Sequence, residues 1–94
     1  MKVEIFSTST CPYCQLAKDY LRKYDIPYQE IVIDNTDERQ ELYNNLGLEG
    51  NKRTVPQVFL IESNGTRNRV GGYTDLTQSD IVARHHIGDF TLDF

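Results

Sequence analysis

The sequence predicts an α/β fold: a four-stranded mixed β-sheet flanked by three helices, in the order β-α-β-α-β-β-α. Three features carry this. An alternating run at Val3-Glu4-Ile5-Phe6 is followed by a helix-like stretch from Gln15 to Leu21, and a second strand and helix come after it. Val58-Phe59-Leu60-Ile61 is an unbroken apolar run, as expected of a central strand covered on both faces. Ser63-Asn64-Gly65-Thr66 is a strong hairpin turn, which makes the strands on either side antiparallel neighbours. The first β-α-β unit should cross right-handed and leave its two strands parallel, so the sheet is mixed.

Each element has its own signal. Lys2 to Phe6 reads as the first strand, with Val3 and Ile5 on one face. Pro12 suits the first turn of a helix, where its missing N–H costs nothing. That helix is expected to run to about Tyr24, with Ala17, Leu21 and Tyr24 on one stripe joined by Leu16 and Tyr20. Ile26-Pro27 ends it. Tyr28 to Asp34 is the second strand, where Ile31 and Ile33 alternate with Glu30 and Val32. Asn35 or Thr36 caps the second helix, and Glu38, three residues after Asn35, completes a capping-box pattern. Leu42 and Leu46 mark its inner face, and Gly47 stops it. Gln57 to Ile61 is the third strand. Arg67 to Val70 is the fourth, whose Arg and Asn content suits a sheet edge. A last helix is expected from about Asp75 to His86. The tail Phe90 to Phe94 has no assigned element.

With 94 residues, the chain reads as a single domain over residues 1–94. The formal net charge of −4 argues against nucleic acid as a partner. No stretch approaches the roughly 20 apolar residues of a membrane-spanning helix. The N-terminus lacks a charged-then-apolar leader, so a cytoplasmic protein is expected.

Both cysteines of the chain fall in Cys11-Pro12-Tyr13-Cys14. Spacing alone leaves half of a zinc site open, but the chain has no further Cys to complete one. In a reducing compartment a pair this close is a catalytic dithiol rather than a structural staple. Cys11 falls at the start of the first helix, where unpaired N–H groups and the positive end of the helix dipole favour a thiolate. Thiols in such positions have pKa values of roughly 3.5–7.5. Cys14 lies one turn inside, more buried and less ionised. Cys11 is therefore expected to attack a disulfide, and Cys14 to resolve the mixed disulfide that forms. Pro12 stiffens the turn, and Tyr13 offers a ring beside the sulfur as a wall for a small substrate.

These residues give the chain a resemblance to the glutaredoxins, a thioredoxin-like family, over almost its full length. Cys-Pro-Tyr-Cys is similar to the motif of dithiol glutaredoxins. Thr54-Val55-Pro56-Gln57-Val58-Phe59 resembles a second family signature, and Gly71-Gly72-Tyr73-Thr74-Asp75-Leu76 a third. The resemblance implies a thioredoxin-like fold, a cis peptide bond before Pro56, and a glutathione-dependent thiol–disulfide oxidoreductase. Reduced glutathione would be the co-substrate, with no bound cofactor and no metal. The implied glutathione site comprises Thr8, Tyr13, Arg53, Thr54, Val55, Pro56, Gly72, Tyr73, Thr74 and Asp75. Val55 would offer its N–H and C=O to the extended tripeptide. Thr74 and the helix start would hold the γ-glutamyl carboxylate, with Asp75 on its ammonium. Arg53, or less directly Lys52, would meet the glycyl carboxylate. Implied partners are glutathione and disulfide-containing proteins, ribonucleotide reductase among them by family association, with the chain acting as a monomer.

Thr8 departs from the family pattern, which has Lys or Arg three residues before the first cysteine. Its loss should leave the Cys11 pKa toward the upper part of the family range. His85 and His86 point about 100° apart on a helix and make a poor metal pair, so packing or a helix-end role is expected of them. Two other readings stay open from sequence. One is a redoxin recycled by thioredoxin reductase. The other is a carrier of an iron–sulfur cluster between two chains, against which Pro12 argues.

Overall fold

The structure, a computed structural model, describes the backbone of residues 2–86, and the side chains in that range except those of Asn51, Arg84, His85 and His86. Four strands, β1 (Lys2–Ser7), β2 (Tyr28–Val32), β3 (Gln57–Ile61) and β4 (Arg67–Gly71), lie in the order β2-β1-β3-β4. β1 and β2 are parallel, and the other two pairings are antiparallel. The helices are α1 (Pro12–Lys23), α2 (Thr36–Asn45), α3 (Tyr73–Gln78) and α4 (Ile81–His86), with a 3₁₀ turn at Gly50–Lys52.

The register of the two central strands separates two faces. Val3 pairs with Leu60 and Ile5 with Val58, and these four side chains form one buried layer. Ala17 and Leu21 from α1, with Leu76 and Ile81 from the last two helices, complete that core. The opposite face carries Glu4, Phe6 and Phe59. The two rings meet edge-on at 5.7 Å. Arg67 lies over both rings and pairs with the buried Glu4 at 3.0 Å.

Local chemistry explains where elements begin and end. Asn35 caps α2, its side chain accepting the Glu38 N–H at 3.0 Å. At the hairpin, Gly65 adopts φ 89°, a left-handed conformation that L side chains rarely adopt, and Glu62 N–H reaches Thr66 O at 2.8 Å. β2 stops at Val32, opposite Ser7, because β1 offers no partner residue beyond it. The expected extension to Asp34 is therefore loop. Ser9 donates both its N–H and its hydroxyl to the Asp34 carboxylate, which ties the segment before Cys11 to the end of β2.

Three expectations need correcting. The single last helix is two helices, because Ser79 breaks it. Its backbone is extended, and its hydroxyl bonds back to Leu76 O at 2.6 Å. Leu16 is exposed on α1 instead of joining the apolar stripe. On α2 the buried side chain is Tyr43, while Leu42 and Leu46 are only partly covered. The tail from Phe90 to Phe94 lies outside the described residues, as do the side chains of His85 and His86.

One polar cluster ties the first helix to the edge strand. Lys18 on α1 contacts Glu30 of β2 at 2.9 Å, and the Ser7 hydroxyl donates to the same carboxylate oxygen at 2.8 Å. The hydrogen bond from Lys18 holds the Glu30 carboxyl below its ordinary pKa, against the opposing pull of partial burial. A carboxyl depressed in the folded state stabilises the fold above its unfolded pKa, and that contribution is lost as pH falls through the folded value. Glu30→Gln is therefore expected to lower stability at neutral pH by about 0.2–1 kcal/mol. The gap between variant and wild type should close as acid protonates Glu30. Urea unfolding at several pH values tests this, and a gap that does not change with pH would rule the interaction out as its source.

Candidate active site: a dithiol at a helix N-terminus

Cys11 is the N-cap residue of α1, with an extended backbone and Pro12 at the first helical position. The Cys14 N–H points at the Cys11 Sγ, 3.0 Å away, and the Gln15 N–H closes on Cys11 O at 3.2 Å. The two Sγ atoms are joined as a disulfide, with Cα atoms 5.2 Å apart. The two sulfurs differ in access. Cys14 is 1 % exposed, whereas Cys11 is half-buried and lies at the surface end of the helix.

The neighbouring strand supplies the other wall. The Val55–Pro56 bond is cis, and Val55 O lies 3.6 Å from Cys11 Sγ. From here an open cleft of about 570 Å³ runs across the surface. Tyr13, Thr54, Val55, Pro56, Gly72, Tyr73, Thr74 and Asp75 line it, all of them expected at the site from sequence. Tyr13 is 61 % exposed, and its ring sits 6.2 Å from that of Tyr73. Three separated segments thus meet at one surface: the start of α1, the loop before β3 and the start of α3.

Asp75 shapes that last segment. Its carboxylate accepts the Gly72 N–H at 3.1 Å, which caps α3 from its third position. Gly71 has φ 118°, and a Cβ there would run into the Asp75 carboxylate, so only glycine fits.

Two residues of the expected glutathione site do not line the cleft, and neither do the two cysteines, which adjoin it at Val55. Arg53 was expected to meet the glycyl carboxylate. Its guanidinium instead bonds Leu48 O and the side chains of Gln40 and Asn44, and lies over the Tyr43 ring. It ties the loop after α2 to side chains on that helix. Lys52, the less favoured candidate, lines the cleft in its place. Thr8 is half-buried in the loop before Cys11 and contributes nothing to the cleft wall.

Sequence reasoning also missed two residues. Arg69 of β4 lines the cleft, and its Nε–H donates to Gln57 Oε1 at 3.0 Å. Gln57 is fully buried, and its amide donates to Lys52 O at 3.0 Å and Thr54 O at 2.9 Å. One side-chain amide therefore joins the loop that carries Val55 to the strand that carries Arg69. The available signal for Arg69 was its position two residues before Gly71, on the strand that the hairpin returns beside Gln57.

A paired dithiol at a helix start, faced by a cis-proline loop on a four-stranded mixed sheet, defines a thiol–disulfide oxidoreductase of the thioredoxin fold. Residues 3–64 match the Glutaredoxin family model. Glutaredoxin 3 of Escherichia coli (strain K12) is 37% identical over 79 residues, 83% of this chain and 84% of that protein. Glutaredoxin 1 of Francisella tularensis, solved with cacodylate, superposes with a TM-score of 0.69 at 26% identity, covering 90% of this chain and 96% of that one. A buckwheat glutaredoxin–glutathione complex gives a TM-score of 0.61 at 25% identity, covering 93% of this chain and 70% of that one. The chain belongs to the glutaredoxin family of glutathione-dependent thiol–disulfide oxidoreductases.

The absence of a cation at Thr8 gives a direct test. Thr8→Lys is expected to favour the Cys11 thiolate and to lower its titration midpoint by roughly 1 pH unit. Thiolate absorbance of the reduced protein against pH measures it. An unchanged midpoint would show that position 8 does not reach the sulfur.

Proposed function

We propose that this chain, as one monomeric domain in a reducing compartment such as the cytoplasm, uses glutathione to reduce protein disulfides and glutathione mixed disulfides. The observation that carries this is the placement of Cys11 Sγ. It receives the Cys14 N–H at a helix start and lies 3.6 Å from the carbonyl oxygen of Val55, which lines the neighbouring cleft of about 570 Å³.

The chemistry follows from the asymmetry of the two sulfurs. In the reduced protein the Cys14 N–H stabilises negative charge on Cys11. The Cys11 thiolate attacks one sulfur of a substrate disulfide. That S–S bond breaks, a mixed disulfide forms on Cys11, and the other substrate sulfur leaves as thiolate. For a protein disulfide, Cys14 then attacks the Cys11 sulfur, frees the reduced substrate and leaves the Cys11–Cys14 disulfide. Cys14 is too buried to meet an external disulfide itself, which restricts it to this resolving step. One glutathione opens the internal disulfide and a second removes the first as glutathione disulfide, so two electrons enter for each disulfide reduced. Glutathione mixed disulfides need only Cys11: it takes up the glutathionyl group and passes it to a second glutathione.

The cleft residues suit the tripeptide. The backbone of Val55 is positioned to pair with the cysteinyl residue as a short added strand. Thr74 and the first N–H groups of α3 take the γ-glutamyl carboxylate, and Asp75 its ammonium. Lys52 takes the glycyl carboxylate, in place of the expected Arg53. Tyr13 and Tyr73, with rings 6.2 Å apart, both wall the cleft.

The two-cysteine division of labour predicts separable activities. Cys14→Ser should keep most deglutathionylation of a glutathionylated peptide and lose most reduction of an intramolecular protein disulfide. Cys11→Ser should lose both. Glutathione-coupled assays on the two substrates measure this, and any activity of Cys11→Ser above the uncatalysed rate would contradict the assignment. The same assay run with thioredoxin reductase in place of glutathione should be slow, and a faster rate there would favour the other reductant.

A further inference from the structure

Charge in the cleft is distributed unlike charge in the chain. The chain carries −4 overall, yet the cleft is lined by two cations, Lys52 and Arg69, and one carboxylate, Asp75. Glutathione, with two carboxylates and one ammonium, is the opposite set. Asp75 and Arg69 also share the wall of a second, adjoining hollow that Lys52 does not reach. Arg69 is thus the cation on the Asp75 side of the cleft. An ammonium and a carboxylate on the same carbon, as at the γ-glutamyl end, need an acceptor and a cation close together.

Arg69 is also held in place. Its Nε–H is fixed on Gln57 Oε1, and Gln57 is buried and anchored by two backbone carbonyls of the loop before Val55. The terminal nitrogens of the guanidinium are left to fork onto a carboxylate, a geometry lysine cannot supply. We infer that Arg69 binds the γ-glutamyl α-carboxylate beside Asp75 and makes the enzyme selective for glutathione over thiols that lack that group. The inference rests on the glutathione reading of the cleft. It adds a side-chain cation to the contacts offered there by Thr74 and the start of α3. It also places a positive charge in a site that has none at position 8.

The test compares three mixed disulfides of one peptide. The first is formed with glutathione, and the second with 4-aminobutyryl-cysteinyl-glycine, which keeps the ammonium and the glycyl carboxylate but lacks the α-carboxylate. The third is formed with mercaptoethanol, which has no charge. The readout is the second-order rate constant for peptide thiol release by the reduced enzyme. Wild type should react fastest with the glutathione form. Arg69→Gln should slow that reaction on the order of 10-fold and leave the aminobutyryl and mercaptoethanol forms within about twofold. Arg69→Lys should fall between wild type and Arg69→Gln. Equal slowing on all three substrates would mean that Arg69 is only structural, and no slowing on any would mean that it does not touch the ligand; either result overturns the inference. A wild type that reacts equally with the glutathione and mercaptoethanol forms would defeat the glutathione reading itself, and this inference with it.

Discussion

The contact between the Cys14 N–H and the Cys11 sulfur is the one on which the rest of the structure depends. Backbone N–H groups in the first turn of a helix have no partner within the helix. Here one of them is satisfied by the sulfur of the residue that caps the helix. The same geometry hides Cys14 inside the first turn and leaves Cys11 at its mouth. In the proposed mechanism this difference in burial, with the N–H aimed at Cys11, gives attack to Cys11 and resolution to Cys14. Pro12 contributes by occupying the one helical position where a missing N–H is harmless.

The sheet holds that helix start against its partners. β1 ends at Ser7 and delivers the chain to the loop before Cys11, and Ser9 fastens this loop to Asp34. β3 is antiparallel to β1, so its first residues lie at the end where β1 finishes, and Val55 meets the sulfur there. β4 returns beside β3 and brings Gly71, Gly72 and the start of α3 to the same edge. Strand order thus gathers residues 11–14, 54–56 and 72–75 at one rim. The charged pair of Lys18 and Glu30 and the apolar layer of Val3, Ile5, Leu21 and Leu76 keep α1 seated on the sheet.

Much of this was legible in the sequence because it depends on local signals. Strand periodicity, Pro12, Asn35 and the Asn64-Gly65 turn each act within a few residues, and β1, α1, β3 and the hairpin lie where they were expected. The errors arise where tertiary partners decide. Ile33 continues the alternation of β2, but β1 has ended by then. Ser79 is an ordinary helix residue by pattern, and its hydroxyl chose the backbone. Arg53 sits next to Thr54 in sequence, yet its side chain turns to the Leu48 carbonyl in the loop beyond α2. Gln57 and Arg69 lie 12 residues apart, and their bond exists only because the hairpin folds one strand onto the other. No single-residue signal distinguishes a cleft arginine from a solvated edge arginine.

The most direct test of the central claim is the alkylation rate of Cys11 by iodoacetamide as a function of pH, in reduced Cys14→Ser protein where a single thiol reacts. A thiolate stabilised by the start of α1 predicts a rate that levels off before the ordinary thiol range, with a midpoint within roughly 3.5–7.5. A rate that keeps climbing through the ordinary thiol range, with a midpoint of about 8.5, would mean that the helix start does not activate this sulfur.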